Sequence, residues 1–229
     1  MTRASQGTSQ GASQGAYQPA FQAPAPDCRL CPRLAAYRDS NRAANPGWYN
    51  GAVPSFGPLD AAFLVVGLAP GVRGANRTGR PFTGDYAGVL LYETLLKYGF
   101  AHGSYAADPA DGMALRNCRV TNAVRCVPPA NLPRPEEIRQ CNPFLTREMA
   151  AMPQLRVVLA LGGVAHKAVL QARGLKASHT PFVHGAVTRL PDGLLLADSY
   201  HVSRLNTSTG RLTTPMFQAV ISDILAQLT

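Results

Sequence analysis

The sequence has few acidic residues. Only 13 Asp and Glu stand against 22 Lys and Arg in a chain of 229 residues, which leaves a formal charge of +9 at pH 7. Such an excess favours an anionic partner. Three of the basic residues are lysines and the rest are arginines, which suit forked hydrogen bonding to phosphate. The charge alone does not decide whether that partner is a nucleic acid.

Long apolar runs are also absent. No run approaches the roughly 20 residues that a membrane span needs, and the first 26 residues have no apolar segment of the kind found in secretory signals. Those residues repeat Ser-Gln-Gly three times and then become rich in proline and alanine. We therefore predict a disordered low-complexity tail over 1–26, one folded domain over 27–229, no membrane association and a cytoplasmic location.

Apolar runs alternate with helical patterns over the rest of the chain. Strands are predicted at 61–67, 118–124 and 156–162, with two more inside 186–198. Helices are predicted after Asp85, after Pro135 with a break or kink at Pro143, over 163–173 and from about Pro215. This order predicts an α/β fold with a mainly parallel sheet covered on both faces. The loops after 67, 121 and 197 should then meet at one crevice.

Several catalytic motifs are missing from these loops. Neither GxGxxG nor GxxxxGK[ST] occurs in them, so no nucleotide cofactor is expected, and none of the three loops contains the GxSxG motif of a serine hydrolase. The only acids in the three loops are Asp85 and Asp198, which argues against two-carboxylate hydrolysis and a two-metal nuclease. The amides and imidazole of Asn122, His201 and Asn206 remain, with Phe82 and the loop arginines. That set suits a base extruded from a nucleic acid.

Five cysteines in a chain without a secretory signal argue against a disulfide framework. Cys28 and Cys31 form a CxxC pair, and Cys126 and Cys141 follow as distant single cysteines. This spacing suits a metal site with four cysteine ligands but does not separate zinc from an iron–sulfur cluster, and four unrelated thiols stay an alternative. Cys118 lies alone in an apolar stretch and is predicted to be a buried core thiol.

Four motifs, in order, carry a resemblance to a known family. They are Gly67-Leu-Ala-Pro-Gly71, Asn76-Arg-Thr-Gly-Arg-Pro-Phe-Thr-Gly-Asp85, Thr121-Asn-Ala-Val-Arg-Cys126 and His201-Val-Ser-Arg-Leu-Asn206-Thr-Ser-Thr-Gly-Arg211. The chain resembles the uracil-DNA glycosylase superfamily from about residue 28 to its end, and most of all the family 5, or B-type, iron–sulfur branch. The resemblance implies a three-layer α/β/α fold with a central sheet of four to five strands. It also implies one structural 4Fe-4S cluster held by Cys28, Cys31, Cys126 and Cys141.

The implied activity is excision of uracil from DNA by hydrolysis of the N-glycosidic bond, which leaves an abasic site. The B-type resemblance extends the implied range to hypoxanthine and xanthine. We expect a monomer, because one flipped base needs one site. A non-catalytic nucleic-acid-binding module built on a four-cysteine metal site is the main alternative, and a metal-dependent nuclease is a third.

The resemblance also assigns roles to single residues. Phe82 would stack on the flipped base, Asn122 would bind its Watson–Crick edge, and His201 would stabilise the negative charge that develops on it. The pocket would also include Gly67, Ala69 and Asn206.

Other families of this superfamily place an acidic or amide residue in the first motif, where this chain has the apolar Leu68 and Ala69. The mechanism is therefore expected to depend on leaving-group stabilisation, without an acidic general base in that motif. Asp85 and Asn76 are candidates for holding the water, and an N-cap role for Asp85 is the alternative. The predicted phosphate contacts are Arg73, Arg77, Arg80, Arg204 and Arg211.

Overall fold

The computed structural model describes residues 21–229, so the part of the predicted tail at 1–20 lies outside the described residues. Residues 21–26 were assigned to the tail by composition, yet they contact the domain. The ring of Phe21 lies 5.7 Å from the guanidinium of Arg119, and the carbonyl of Pro26 accepts a hydrogen bond from the Ala52 N–H. The packed part of the chain therefore begins before residue 27.

Seven strands form two sheets in the described chain. They are β1 Phe63–Gly67, β2 Ala101–His102, β3 Ala114–Leu115, β4 Cys118–Asn122, β5 Val157–Leu161, β6 Val187–Arg189 and β7 Leu195–Ser199. The main sheet has the order β4-β1-β5-β7-β6, in which β6 alone is antiparallel to its neighbour. β2 and β3 form a separate antiparallel pair. The predicted mainly parallel sheet of four to five strands is confirmed, and it has five strands.

Seven helices accompany the strands. They are α1 Pro32–Ala44, α2 Ala75–Thr78, α3 Tyr86–Lys97, α4 Pro135–Ala150, α5 Gly163–Ala172, α6 Arg204–Ser208 and α7 Thr214–Leu228, with 3-10 turns at Pro129–Asn131 and Ala177–His179. In the chain from 21 onward, no helix is long and apolar enough to cross a membrane.

The helix α4 continues through Pro143, so the break predicted there does not occur, and the alternative of a kink stays a prediction. Its start is well defined, because Pro135 is the first helical residue and the Glu137 carboxylate accepts a hydrogen bond from the Arg134 N–H at 2.7 Å. The neighbouring Asn142 donates to the Ala168 carbonyl of α5 at 2.8 Å. Contacts beyond the helix therefore offset the one hydrogen bond that an internal proline removes.

The two faces of the sheet carry separate apolar cores, because successive side chains of a strand point to opposite faces. Phe63 and Val65 of β1 belong to the core that α3 and α7 cover. Leu64 and Val66 belong to the core that α4 and α5 cover. The three-layer α/β/α arrangement is therefore confirmed. Cys118 is fully buried in the first of these cores, as predicted.

The parallel strands bring three polar loops to the same edge of the sheet. Gly67 at the end of β1 pairs in register with Asn122 at the end of β4, and Leu161 of β5 pairs with Ser199 at the end of β7. The loops that follow β1, β4 and β7 therefore begin side by side, as the sequence predicts. This carboxyl edge is where ligands bind in open parallel sheets.

Candidate functional site

A pocket with an empty volume of about 260 Å³ lies between the three loops. The pocket is lined by Ala69, Pro70, Gly71, Ala75, Phe82, Asp85, Ala87, Asn122 and His201. Residues predicted from all three motif-bearing loops therefore line one cavity.

Gly67 forms the floor beneath two of these residues. A Cβ atom at this position would overlap both the Asn122 Oδ1 and the Cζ of the Phe82 ring. Only glycine lets the amide of β4 and the ring from the first loop approach the β1 backbone so closely. Gly67 therefore shapes the pocket through the side chain that it lacks.

Asn122 is the last residue of β4 and is 3% exposed. Its Oδ1 atom is buried and has no hydrogen-bond partner among residues 21–229. A buried acceptor without a partner costs about 1–3 kcal/mol. This amide is therefore placed to accept a hydrogen bond from a ligand.

Phe82 is buried and has a φ of 52°, a left-handed conformation that is unfavourable for an aromatic residue. Its carbonyl accepts a hydrogen bond from the Tyr105 hydroxyl at 3.1 Å and lies so close to Gly88 that a Cβ there would overlap it. The Phe82 and His201 rings have centroids 6.1 Å apart and an interplanar angle of 30°. Such strain is kept where surrounding contacts require it, as at a binding site.

His201 lies in the loop after β7 and is half-buried. Burial lowers the pKa of His201 to about 4, so the imidazole is neutral at pH 7. Its backbone carbonyl accepts a hydrogen bond from the Asn206 side chain at 2.8 Å, and Ser203 caps the short helix α6 that follows. A neutral imidazole has one N–H, which makes His201 a hydrogen-bond donor without a positive charge.

Asp85 contributes a carboxylate to the pocket wall. It occupies the N-cap position of α3, but its side chain makes no capping hydrogen bond. A Cβ at Gly71 would lie 2.9 Å from one carboxylate oxygen, and the other oxygen is buried without a partner among the described residues. Burial raises the pKa of Asp85, and the nearby backbone N–H groups of Ala87 and Gly88 oppose this rise.

Two predicted residues lie outside the pocket and brace its loops. Asn76 is fully buried on α2, where its Nδ2 donates to the Asn50 Oδ1 at 3.0 Å. Asn206 holds the His201 carbonyl, as described above. Neither side chain lines the cavity, so the structure does not bring Asn76 to a position where it would hold water for the reaction.

Arg80 also differs from its prediction. Its guanidinium forms a bidentate ion pair with Asp111, at 2.9 and 2.7 Å, and lies over the rings of Phe56 and Tyr92. The buried pair lowers the pKa of the Asp111 carboxyl. Arg80 is therefore a structural residue beneath the loop and not an exposed phosphate contact, because a carboxylate 31 residues away holds its guanidinium.

The other four predicted arginines are exposed around the pocket. Arg73 and Arg77 lie in the first loop, and Arg204 and Arg211 lie in the last. The guanidinium of Arg211 stands 4.7 Å from the centre of the Tyr200 ring. These four side chains place positive charge on the rim, where a polyanion would approach.

Leu205 and His184 were not singled out from the sequence. Leu205 lies on α6 between the rim residue Arg204 and Asn206, and it is 71% exposed. His184 stacks on Tyr200 with ring centroids 4.6 Å apart, and its Nδ1 accepts the Tyr200 N–H at 3.1 Å. An apolar residue inside a polar motif was the signal for Leu205, whereas no local signal marked His184.

The four predicted ligand cysteines line a second pocket, with an empty volume of about 320 Å³. This pocket contains Cys28, Cys31, Cys126 and Cys141 and lies where α1, the segment after β4 and α4 meet. All four are free thiols. Burial is the main cause that raises the pKa of Cys31 to about 11 and that of Cys126 to about 12, so a metal centre would have to displace their protons.

The arrangement of these cysteines bears on which metal centre they suit. Over residues 21–229, no group of three or more His, Cys, Asp or Glu residues is placed to hold a metal ion. A 4Fe-4S cluster binds one thiolate at each iron, so its thiolates stand further apart than the four ligands of one zinc ion. Four cysteines around one pocket supply the number and type of ligands that such a cluster needs.

Comparisons with known proteins agree with this site. The family model described as the Uracil DNA glycosylase superfamily matches residues 54–225. The chain is 47% identical over 202 residues to the type-5 uracil-DNA glycosylase of Thermus thermophilus, which covers 86% of this chain and 91% of that protein. It is 39% identical over 204 residues to the type-5 uracil-DNA glycosylase of Mycobacterium tuberculosis, and this match covers 86% of this chain and 76% of that protein. A type-4 uracil-DNA glycosylase of Pyrobaculum aerophilum is 32% identical over 69% of this chain and 67% of its own length. The chain therefore belongs to the uracil-DNA glycosylase superfamily and groups with its type-5 members.

Proposed function

We propose that this protein excises uracil from DNA by hydrolysing the bond between the base and its deoxyribose, which leaves an abasic site. The observation that carries the proposal is the unpartnered Asn122 Oδ1, buried in a pocket beside Phe82 and His201. An acceptor, an aromatic ring and a neutral donor around one cavity are what a flipped base requires. The sequence relatives named above support the same reaction.

Asn122 accounts for the choice of base. Uracil presents an N–H beside a carbonyl oxygen, and a side-chain amide offers the complementary acceptor and donor. Cytosine presents the reverse order, an acceptor beside an amino group. Because the Asn122 Oδ1 has no partner among the described residues, it leaves an acceptor for the N–H of a base with the uracil pattern.

The same amide extends the proposed range of substrates. Hypoxanthine and xanthine each carry an N–H beside a carbonyl on the edge that Asn122 would bind. We therefore propose that both are excised as well. Because these purines have a larger ring system than uracil, their excision rates would depend on how well they fit the pocket as well as on the hydrogen bond to Asn122.

His201 stabilises the leaving group in this proposal. When the glycosidic bond breaks, its electron pair leaves with the base, and the negative charge on uracil spreads to its O2 atom. The neutral His201 N–H donates a hydrogen bond to that oxygen, and such a preorganised donor is worth about 2.7–4 kcal/mol. Water supplies the hydroxyl group to the sugar carbon, and its remaining proton neutralises the departing base anion. The buried Asp85 carboxylate oxygen without a partner in the described chain would orient that water.

In this proposal, the DNA backbone binds to the rim of the pocket. Arg73, Arg77, Arg204 and Arg211 would neutralise backbone phosphates around the flipped nucleotide. The exposed Leu205 would fill the gap that the base leaves in the duplex, since apolar side chains are used as wedges between base steps. Leu205→Ala should therefore slow excision from duplex DNA and leave excision from single-stranded DNA near the wild-type rate.

We also propose that Cys28, Cys31, Cys126 and Cys141 hold one structural 4Fe-4S cluster. The cluster would supply a covalent cross-link between α1, the segment after β4 and α4. Cys126 lies four residues beyond Asn122, and the intervening N–H groups of Ala123 and Val124 donate to the carbonyls of Gly67 and Leu68. The cysteine site would therefore stabilise the strand exit that positions Asn122.

A glycosylase assay tests the proposal. Purified protein is incubated in EDTA with end-labelled duplexes that carry one uracil, hypoxanthine, xanthine or unmodified cytosine, and alkali then reveals abasic sites. Breakage at the deaminated bases and not at cytosine is expected. Binding without breakage would instead indicate a non-catalytic four-cysteine binding module, and cleavage that EDTA abolishes would indicate a nuclease. About four iron atoms per chain, with no zinc, is the separate expectation for the cluster.

A further inference from the structure

Arg38 on α1 is a fully buried cation, with 0% of its surface exposed. Its Nη1 donates to the Cys28 carbonyl at 2.9 Å and to the Cys126 Sγ at 3.6 Å. Its Nε and Nη2 are buried and have no hydrogen-bond partner in the described chain. No carboxylate among residues 21–229 forms a salt bridge with it.

The other buried arginines of residues 21–229 differ from Arg38 in this respect. Arg80 pairs with Asp111, and Arg119 and Arg125 both pair with Glu148. Desolvating an ion costs several kcal/mol, so a buried arginine is normally compensated by an opposite charge. The carboxylate of Asp27 interacts electrostatically with Arg38, but Asp27 is exposed and forms its ion pair with Arg42, at 2.7 Å.

A metal cluster bound in the cysteine pocket would supply the missing negative charge. Arg38 contacts two of its four cysteines, one through a backbone carbonyl and one through sulfur. Four neutral thiols would leave the cation uncompensated. A 4Fe-4S core of charge 2+ bound by four thiolates carries a net charge of 2−, which a buried guanidinium would balance.

We propose that Arg38 is the counter-cation of the 4Fe-4S cluster, and that its hydrogen bond to Cys126 slows loss of the cluster and raises its reduction potential. This inference rests on the cluster proposed above. Positive charge and hydrogen bonds at the sulfurs favour the more negative, one-electron-reduced cluster, which is why the potential should rise. Arg38 is a positioning residue, since it touches a ligand and not the DNA base.

Three variants of the full-length holoprotein test the proposal. Arg38→Met removes the charge and keeps an unbranched chain of similar length. Arg38→Lys keeps the charge and loses the planar fork. Arg42→Met is the matched control, because Arg42 lies one turn further along α1 and pairs with the exposed Asp27 and the partly buried Asp39 instead of a cysteine. Cluster loss is followed by the decay of visible absorbance under oxidant and chelator, and the potential by titration with dithionite.

We expect Arg38→Met to lose the cluster about tenfold faster or more and to have a lower reduction potential, since partners of metal ligands are typically worth that much. Arg42→Met should match the wild type in both measurements. Arg38→Lys should retain most of the potential and lose the cluster at an intermediate rate. An Arg38→Met protein that matches the wild type in both measurements would overturn the proposal.

Two further results would also decide the matter. If Arg38→Met does not fold, Arg38→Lys is compared with the wild type, and equal rates of cluster loss would refute the role of Arg38. A wild-type protein that excises uracil but contains no iron would refute both the cluster and its counter-cation and leave the excision activity standing. Failure of this inference is therefore distinguishable from failure of the proposed reaction.

Discussion

The two edges of the sheet carry cavities that differ in size and in what their polar groups do. The pocket at the carboxyl edge has an empty volume of about 260 Å³, whereas a cavity at the amino edge has about 1150 Å³. The larger cavity contains three arginines, but each already has a partner. Arg156 donates to the carbonyls of Gln227 and Leu228, Arg173 pairs with Asp192, and Arg189 donates to the Gly193 carbonyl.

The smaller pocket is the one with polar atoms that lack partners. Oxygens of Asn122 and Asp85 are buried there without hydrogen bonds in the described chain, and Phe82 keeps a strained backbone. Unmade hydrogen bonds are free energy that a ligand can recover on binding, whereas satisfied groups have little to gain. Binding capacity therefore follows the unsatisfied groups and not the volume, so changes at the carboxyl edge should impair function whereas changes at the amino edge should leave it unchanged.

The largest effect is expected from His201→Ala. Loss of the donor to the departing base should lower the single-turnover rate of uracil excision about 100-fold or more. Arg173→Ala at the amino edge is the matched control and should leave that rate unchanged. A His201→Ala protein with the full rate would remove this residue from the reaction.

Asn122→Ala should lower the excision rate about tenfold or more, since each lost hydrogen bond costs about 1–3 kcal/mol. The free energy of unfolding should not fall as it would for a partnered polar residue, because the Asn122 Oδ1 has no partner to lose. Gln227→Ala, in the amino-edge cavity, serves as the control for rate. Unchanged discrimination between uracil and cytosine would contradict the assigned role.

Gly67→Ala should give a smaller loss of rate together with lower stability. The added methyl group would overlap Asn122 and Phe82, so one of them must move, and overpacking of this kind costs about 1–3 kcal/mol. Gly47→Ala is the control, because nothing lies within 4 Å of a Cβ at that position. Denaturant unfolding and single-turnover kinetics measure the two effects, and wild-type values in both would show that the pocket floor tolerates a side chain.

Arg77→Ala is expected to act on DNA binding alone. Removing one rim charge should reduce the slope of log affinity against log salt by about one. Arg156→Ala at the amino edge removes the same charge from a residue held by helix carbonyls and should leave the slope unchanged. Equal slopes for both variants would show that the DNA does not distinguish the two edges.

The smallest expected effect concerns pH. Burial lowers the pKa of His201 to about 4, so its ring is already neutral at about pH 6 and stays neutral at about pH 8. The ratio of the wild-type rate to the His201→Ala rate should therefore be constant over that range. A ratio that falls as pH rises through about 6.5, the ordinary histidine pKa, would instead indicate an imidazolium.

Local patterns in the sequence were sufficient to predict many of the residues that line this site. The apolar run that ends at Gly67 predicted a strand, and the motif residues Phe82, Asn122 and His201 do line one pocket. Arg77 and Arg80 show the limit of such patterns, because they lie three residues apart in one loop and look equivalent. Only Arg80 meets Asp111, which comes 31 residues later, so its burial depends on a contact that its neighbours do not encode.

The sequence by itself determined the α/β class, the order of strands and helices, the family and the four cysteines, because apolar periodicity and motif spacing are local properties. The predicted monomeric state and cytoplasmic location stay predictions. The tertiary structure decided which polar groups were left without partners, since this depends on distant segments. It buried Arg80 on Asp111, it left the Asn122 Oδ1 without a partner among the described residues, and it placed Arg38 against Cys126 without a counter-charge.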